Sequence, residues 1–173
     1  MPMPMRIREA EAKDAAPIAS IHVRAWSSSY RGQLSDDYLD GLSAEDRLPT
    51  TRSMIEDGPA DLRVWVAEDD GIPVGFAVTG PSQDADADPK TGELYAIYLE
   101  PERIGTGLGR ELFEHAIGDL RARGFRGVTL WVLESNELAR GFYETAGWAT
   151  DGTTSSERVD CEMRPTVRYR VIL

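Results

Sequence analysis

Two neighbouring stretches, residues 62–68 and 72–79, are mostly hydrophobic and rich in β-forming residues, and the turn sequence Asp69-Asp70-Gly71 separates them; together they predict a β-hairpin. A short strand is expected earlier, over residues 5–9. After it, Ile18, Ile21, Ala25 and Trp26 recur at helical spacing, and Gly32 supplies a stop. Ser43 with Asp46 has the form of a capping box opening a helix toward Asp57, with a kink or restart expected at Pro49. The pattern then predicts a strand over 93–99, a helix over 108–123, a strand over 127–133, a helix over 137–146 stopped at Gly147, and a closing strand over 166–173. Residues 80–91, with Pro81, Pro89 and the run Asp84-Ala85-Asp86-Ala87-Asp88, read as an exposed and mobile loop. Its alternating alanines leave too few oxygen ligands for calcium, and no closing Glu follows.

A hairpin followed by strand, helix, strand, helix and a terminal strand implies an α/β fold. The strand–helix–strand crossover is normally parallel and right-handed, so the sheet is expected to be mixed, mostly antiparallel and flanked by helices. With 173 residues the chain reads as one domain spanning 1–173.

Composition narrows the function classes. The net charge of −11 argues against nucleic acid as a partner, because affinity for phosphate backbones comes from clustered Lys and Arg. Most of the acidic excess lies in the first hundred residues, which favours a cationic ligand there and an anionic one in the second half. The N-terminal residues 1–10 lack the apolar core of a signal peptide, and no stretch approaches the ~18 apolar residues of a membrane span. A single cysteine, Cys161, with only His22 and His115, supplies neither an internal disulfide nor a zinc ligand set, so no metal is expected and a cytoplasmic location fits.

The candidate chemistry begins between the strand at 93–99 and the helix at 108. There Ile104-Gly105-Thr106-Gly107-Leu108-Gly109 places three glycines at alternate positions, a loop whose N–H groups can surround an anion at a helix N-terminus. A dinucleotide fingerprint starting at Gly105 would need glycine where Arg110 stands, and a P-loop would need Gly-Lys-Ser/Thr. Further on, Asn136 is the chain's one asparagine, with Ala139 three residues later and Tyr143 two helical turns away. Asn136 can donate and accept at once, as an amide-rich ligand arm or a helix N-cap requires.

The loop with its preceding strand, and the run from Asn136 to Trp148, resemble the acyl-coenzyme A motifs of the GCN5-related N-acetyltransferase (GNAT) family. The family's usual Gln or Arg at the first loop position is Ile104 here, with Arg103 one residue early. The resemblance implies a GNAT-type fold in which Ile97, Tyr98 and Leu99 lie on a bulged, splayed strand beside the pantetheine arm. It implies that main-chain groups of Ile104, Gly105, Thr106, Gly107, Leu108, Gly109 and Arg110 hold the pyrophosphate, that Asn136 and Ala139 border the arm, and that Tyr143 protonates the leaving thiolate. The co-substrate implied is acetyl-CoA, without a metal, and the reaction is direct attack by an amine through a tetrahedral intermediate. Glu93, early on the same strand, is the candidate general base and acceptor contact, with Glu100 a weaker alternative.

Residues 22–42 resemble a bacterial branch of that family, where helices border the acceptor. Trp26 and Tyr30, one turn apart, are candidates to line that pocket. The acceptor expected is a small, cationic primary amine such as a polyamine, an aminoglycoside or a lysine side chain, and the protein a monomer or homodimer. Two other readings stay open: an acyl-CoA-binding sensor without catalysis, and a regulatory domain that recognises a nucleotide phosphate.

Overall fold

The computed structural model describes residues 4–173, so the first three residues of the N-terminal stretch read above lie outside it. Seven strands form one sheet: β1 (Arg6–Glu9), β2 (Arg63–Asp69), β3 (Ile72–Pro81), β4 (Thr91–Leu99), β5 (Gly127–Leu133), β6 (Ala149–Val159) and β7 (Glu162–Ile172), in the order β1-β2-β3-β4-β5-β7-β6. Among the described residues five α-helices accompany them: α1 (Ala15–Ser29), α2 (Asp36–Asp40), α3 (Ala44–Asp57), α4 (Leu108–Ala122) and α5 (Glu137–Thr145). Only β4 and β5 pair in parallel, because α4 carries the chain over the sheet between them; every other pairing is antiparallel. The mixed α/β sheet read from the sequence is therefore the fold. No described helix is long and apolar enough to cross a membrane.

Alternation along the strands buries both sheet faces. Leu94, Val128 and Leu130 meet Leu112, Ala116 and Leu120 of α4, with Tyr143 and Trp148 beside them. On the opposite face Val64, Val66, Phe76 and Val78 meet Ile18 and Ile21 of α1. The helix α3 packs on α1 and runs through Pro49 as one element, so it does not restart there. Its Ser43 side chain accepts the Asp46 N–H at 3.2 Å, and Pro49 removes only one internal hydrogen bond from a helix already anchored at its start.

Three further expectations are corrected. An unforeseen strand, β6, forms the sheet edge and pairs with β7, which begins at Glu162 instead of residue 166. Gly80, Pro81 and Thr91 belong to strands. The remaining loop, 82–90, is exposed over much of its length but not loose: Asp84 and Asp86 are bound by Arg168 of β7.

Candidate active site

The parallel pairing of β4 with β5 stops almost as soon as it starts. Thr91, Gly92 and Glu93 pair with Gly127, Val128 and Thr129, and from Leu94 onward β4 has no partner on that side. On its other side Val78 pairs with Ala96 and Thr79 with Leu94, so Tyr95 is an extra, bulged residue. The bulge sits two residues before the Ile97–Leu99 stretch expected to carry it, and it turns the rest of β4 away from β5. Ile97, Tyr98 and Leu99 thus border a wedge-shaped gap in the sheet, with Glu93 at its apex.

At the gap's open end a single 3-10 turn, Pro101–Arg103, leads into the glycine loop. Gly105 and Gly107 have φ of +82° and +93°, which side-chain-bearing residues rarely adopt. A Cβ at either would meet nothing within 4 Å, so these glycines serve backbone conformation and leave the space above the loop open. Gly109 differs, because a Cβ there would press on Leu99 at 3.3 Å and Phe142 at 3.6 Å. The N–H groups of Gly105, Gly107, Leu108, Gly109 and Arg110 have no acceptor among the described residues. Several unpaired donors converging at the start of the 15-residue helix α4 suit a diphosphate. The side chain of Ile104 is 43% exposed and apolar, Arg110 leans over the Phe142 ring at 5.2 Å, and Arg103 is paired with Asp69 at 2.7 Å. Main-chain groups are left as the loop's recognition surface. A Gly107→Ala variant is expected to strain the turn by about 1–2 kcal/mol and to raise the acetyl-CoA KM several-fold; steady-state kinetics beside a melting curve measures both.

Opposite the loop, Asn136 does two jobs. Its Oδ1 accepts the Ala139 N–H at 3.1 Å, capping α5, and its Nδ2 donates to the Tyr30 hydroxyl at 3.0 Å. One N–H and one lone pair remain for a ligand. The Trp26 indole N–H donates to the Tyr98 hydroxyl at 3.0 Å, and His22 stacks on the Tyr98 ring at 4.6 Å. Tyr30 and Tyr98 each accept one hydrogen bond and keep their own proton to give. Tyr143, 8% exposed, has no hydrogen-bond partner among the described residues. Burial pushes its ionisation well above the ordinary range, and the Tyr98 and Tyr30 phenols push it further, so the three hydroxyls share one neighbourhood. Glu100, the weaker base candidate, is held by the Arg24 guanidinium, whose Nε lies 2.9 Å from it.

A family model described as "Acetyltransferase (GNAT) family" matches residues 18–148. The chain belongs to the GNAT acetyltransferase family. A Bacillus subtilis protein named "Uncharacterized N-acetyltransferase YuaI" is 36% identical over 131 residues, covering 75% of this chain and 72% of that protein. A Mycobacterium tuberculosis protein that also bears an N-acetyltransferase name is 31% identical over 158 residues, covering 88% of this chain and 84% of that one. Among solved structures, the PaiA N-acetyltransferase of Thermoplasma acidophilum in complex with coenzyme A shares the fold, with a TM-score of 0.71 at 20% identity over 95% of this chain and 98% of that chain. This protein is accordingly an acyltransferase of the N-acetyltransferase class.

In this GNAT enzyme the electrostatics around Glu93 stand out. The residue is 9% exposed, and burial, then the nearby Asp84 charge, raise its pKa from 4.5 to about 7. The Ser82 hydroxyl donates to Glu93 Oε1 at 3.3 Å and opposes that rise. His22 moves the other way: burial, then the Arg47 charge, lower it to about 4, so it is neutral at physiological pH. The sequence reading singled out neither His22 nor the Ser82–Asp84–Arg168 group as site residues. His22 opens the run that resembles the bacterial branch, but nothing in that run marks its ring for the site; Arg168 lies in a strand that also carries Glu162, Arg164 and Arg170, so its charge alone does not single it out.

Proposed function

We propose that the enzyme transfers the acetyl group of acetyl-CoA to the primary amine of a small acceptor by direct attack. The observation that carries this reading is the gap between β4 and β5, with the unpaired N–H groups of the glycine loop at its mouth. The loop would hold the diphosphate, Ile97 to Leu99 and Asn136 with Ala139 would flank the pantetheine arm, and the thioester would then reach Glu93 and the three phenols. The similarly folded Thermoplasma protein is a coenzyme A complex, in keeping with this reading.

The steps balance without a metal. Glu93, as carboxylate, takes a proton from the acceptor's ammonium, directly or through water, and the freed nitrogen attacks the thioester carbon. The carbonyl oxygen becomes an oxyanion in a tetrahedral intermediate, which a nearby N–H donor stabilises. As that intermediate collapses, the C–S bond breaks, Tyr143 gives its proton to the departing sulfur, and the surplus proton on the attacking nitrogen passes to the resulting phenolate, leaving a neutral amide and Tyr143 restored, while Glu93 returns its proton to water. Trp26 and Tyr30 act on this reading as positioning walls, since each holds a phenol or amide of the site: Trp26 holds Tyr98, and Tyr30 is held by Asn136. The acidic first half of the chain would draw a cationic amine toward the apex.

A thiol-release screen with acetyl-CoA and a panel of spermidine, an aminoglycoside, a lysine peptide and simple amino acids tests the reading. Acceptor-dependent thiol release is expected with at least one. Tight acetyl-CoA binding by calorimetry with no turnover for any amine would instead leave a sensor domain.

A further inference from the structure

Arg168 lies outside both coenzyme A motifs, yet it is only 4% exposed and gathers three carboxylates. Its guanidinium reaches Asp84 at 3.1 Å, Asp86 at 2.7 Å and Asp151 at 2.8 Å, and donates to the Thr153 hydroxyl at 3.0 Å. The group sits over the Trp131 ring, 5.7 Å from its centroid, and the Trp131 N–H donates to the other oxygen of Asp84 at 2.9 Å. The Asp86 carboxylate is largely exposed and adds little to stability, and ion pairs as secluded as those with Asp84 and Asp151 often contribute no more than apolar side chains of the same size. From Asp84 a path continues inward: the Asp84 N–H donates to the Ser82 hydroxyl at 3.2 Å, and that hydroxyl donates to Glu93 at 3.3 Å.

We propose that Arg168 is a positioning residue for acetyl transfer: it seats residues 82–86 so that Ser82 fixes the Glu93 carboxylate at the apex of the β4–β5 gap. The inference rests on the assignment of Glu93 as the base. Without the guanidinium, the Asp84 charge would act on Glu93 uncompensated, and the segment, which has no strand or helix of its own, would hold Ser82 less firmly against the Glu93 carboxylate. The charges that face Glu93 are Asp84 from the loop and Arg168 from β7, with the Tyr95 phenol on its own strand. Asp86 and Asp151 stand behind Arg168, and Thr129, paired with Glu93 on β5, brings no charge.

The arrangement predicts opposite displacements in two variants. In Arg168→Met the uncompensated Asp84 faces Glu93, so the acidic limb of the kcat–pH profile moves up by about one pH unit and kcat falls roughly tenfold. In Asp84→Asn a negative neighbour is removed, and the limb moves down. Both profiles are taken with the panel amine that turns over best, beside a carbon-13 NMR titration of the Glu93 carboxyl, which reads the same displacement even in an inactive variant. Asp84→Asn is isosteric and carries the test if Arg168→Met fails to fold. A limb and a carboxyl titration that stay at the wild-type position in the folded variants, with only the melting temperature lowered, would make Arg168 purely structural and overturn the proposal. A limb that persists in Glu93→Gln removes Glu93 from the base role, and the inference with it.

Discussion

Replacing Tyr143 by Phe is expected to lower kcat by about a hundredfold or more, with the acetyl-CoA KM changed by less than about twofold. The ring is packed on Phe113, Phe142, Trp148 and Tyr169, with centroid separations from 5.6 to 6.4 Å. Phe keeps that packing and deletes one oxygen. Because the hydroxyl has no hydrogen-bond partner among the described residues, its loss strands no buried group, and the melting temperature should hold or rise slightly. A structural tyrosine would show the reverse pattern, with stability lost and turnover kept. The acid role fits the direction of its ionisation shift: held above the ordinary phenol value by burial and by Tyr98 and Tyr30, the group stays protonated across the working range. The leaving thiolate, with a reference pKa of about 8.5, must take its proton from a group that still carries one. Unchanged kcat in the Phe variant would pass the acid role to Tyr98 or Tyr30, whose own protons are also uncommitted.

How far the sequence foretold this site depends on the range of each interaction. The helical spacing of Asn136, Ala139 and Tyr143 is local, and α5 places all three as expected. The glycine loop is local too, and Gly105 and Gly107 take the left-handed backbone that only such residues adopt readily. The gap needed the resemblance, since nothing in 93–99 announces that β4 leaves β5 after Glu93 or that the bulge falls on Tyr95. The edge strand β6 was missed because it is exposed along nearly its whole length, so its Thr, Ser, Glu and Arg residues show no alternation of apolar and polar positions. The loop at 82–90 reads as a solvated acidic run because its counter-ion, Arg168, stands more than 80 positions away and only the folded sheet brings the two together. Glu93 was a candidate from its place on the strand, but its buried, proton-holding surroundings depend on that same distant closure.

The other large effect is expected at Glu93. In kcat measured with saturating acceptor, wild type should show an acidic limb centred near pH 7, falling about tenfold per pH unit below it, because only the carboxylate accepts the ammonium proton. Glu93→Gln keeps the side chain's size and its acceptor oxygen for Ser82 but cannot take a proton. Its kcat above pH 8 should drop by about a hundredfold or more, and the limb near 7 should vanish. Stability supplies an independent sign. The carboxyl keeps its proton up to about pH 7 in the folded chain, and to 4.5 at its ordinary value, so ionising it in place opposes folding as pH rises through that interval. The Gln variant should therefore match wild type in thermal stability below about pH 4.5, gain on it between there and 7, and keep a constant advantage at higher pH. A variant that loses turnover but gains stability as pH rises from about 4.5 to 7 separates a buried base from a structural carboxylate, whose removal would destabilise most where it is charged. If the limb stays in place and the variant melts lower at pH 8, Glu93 is held as a charged structural group and the proton must leave the acceptor by another route.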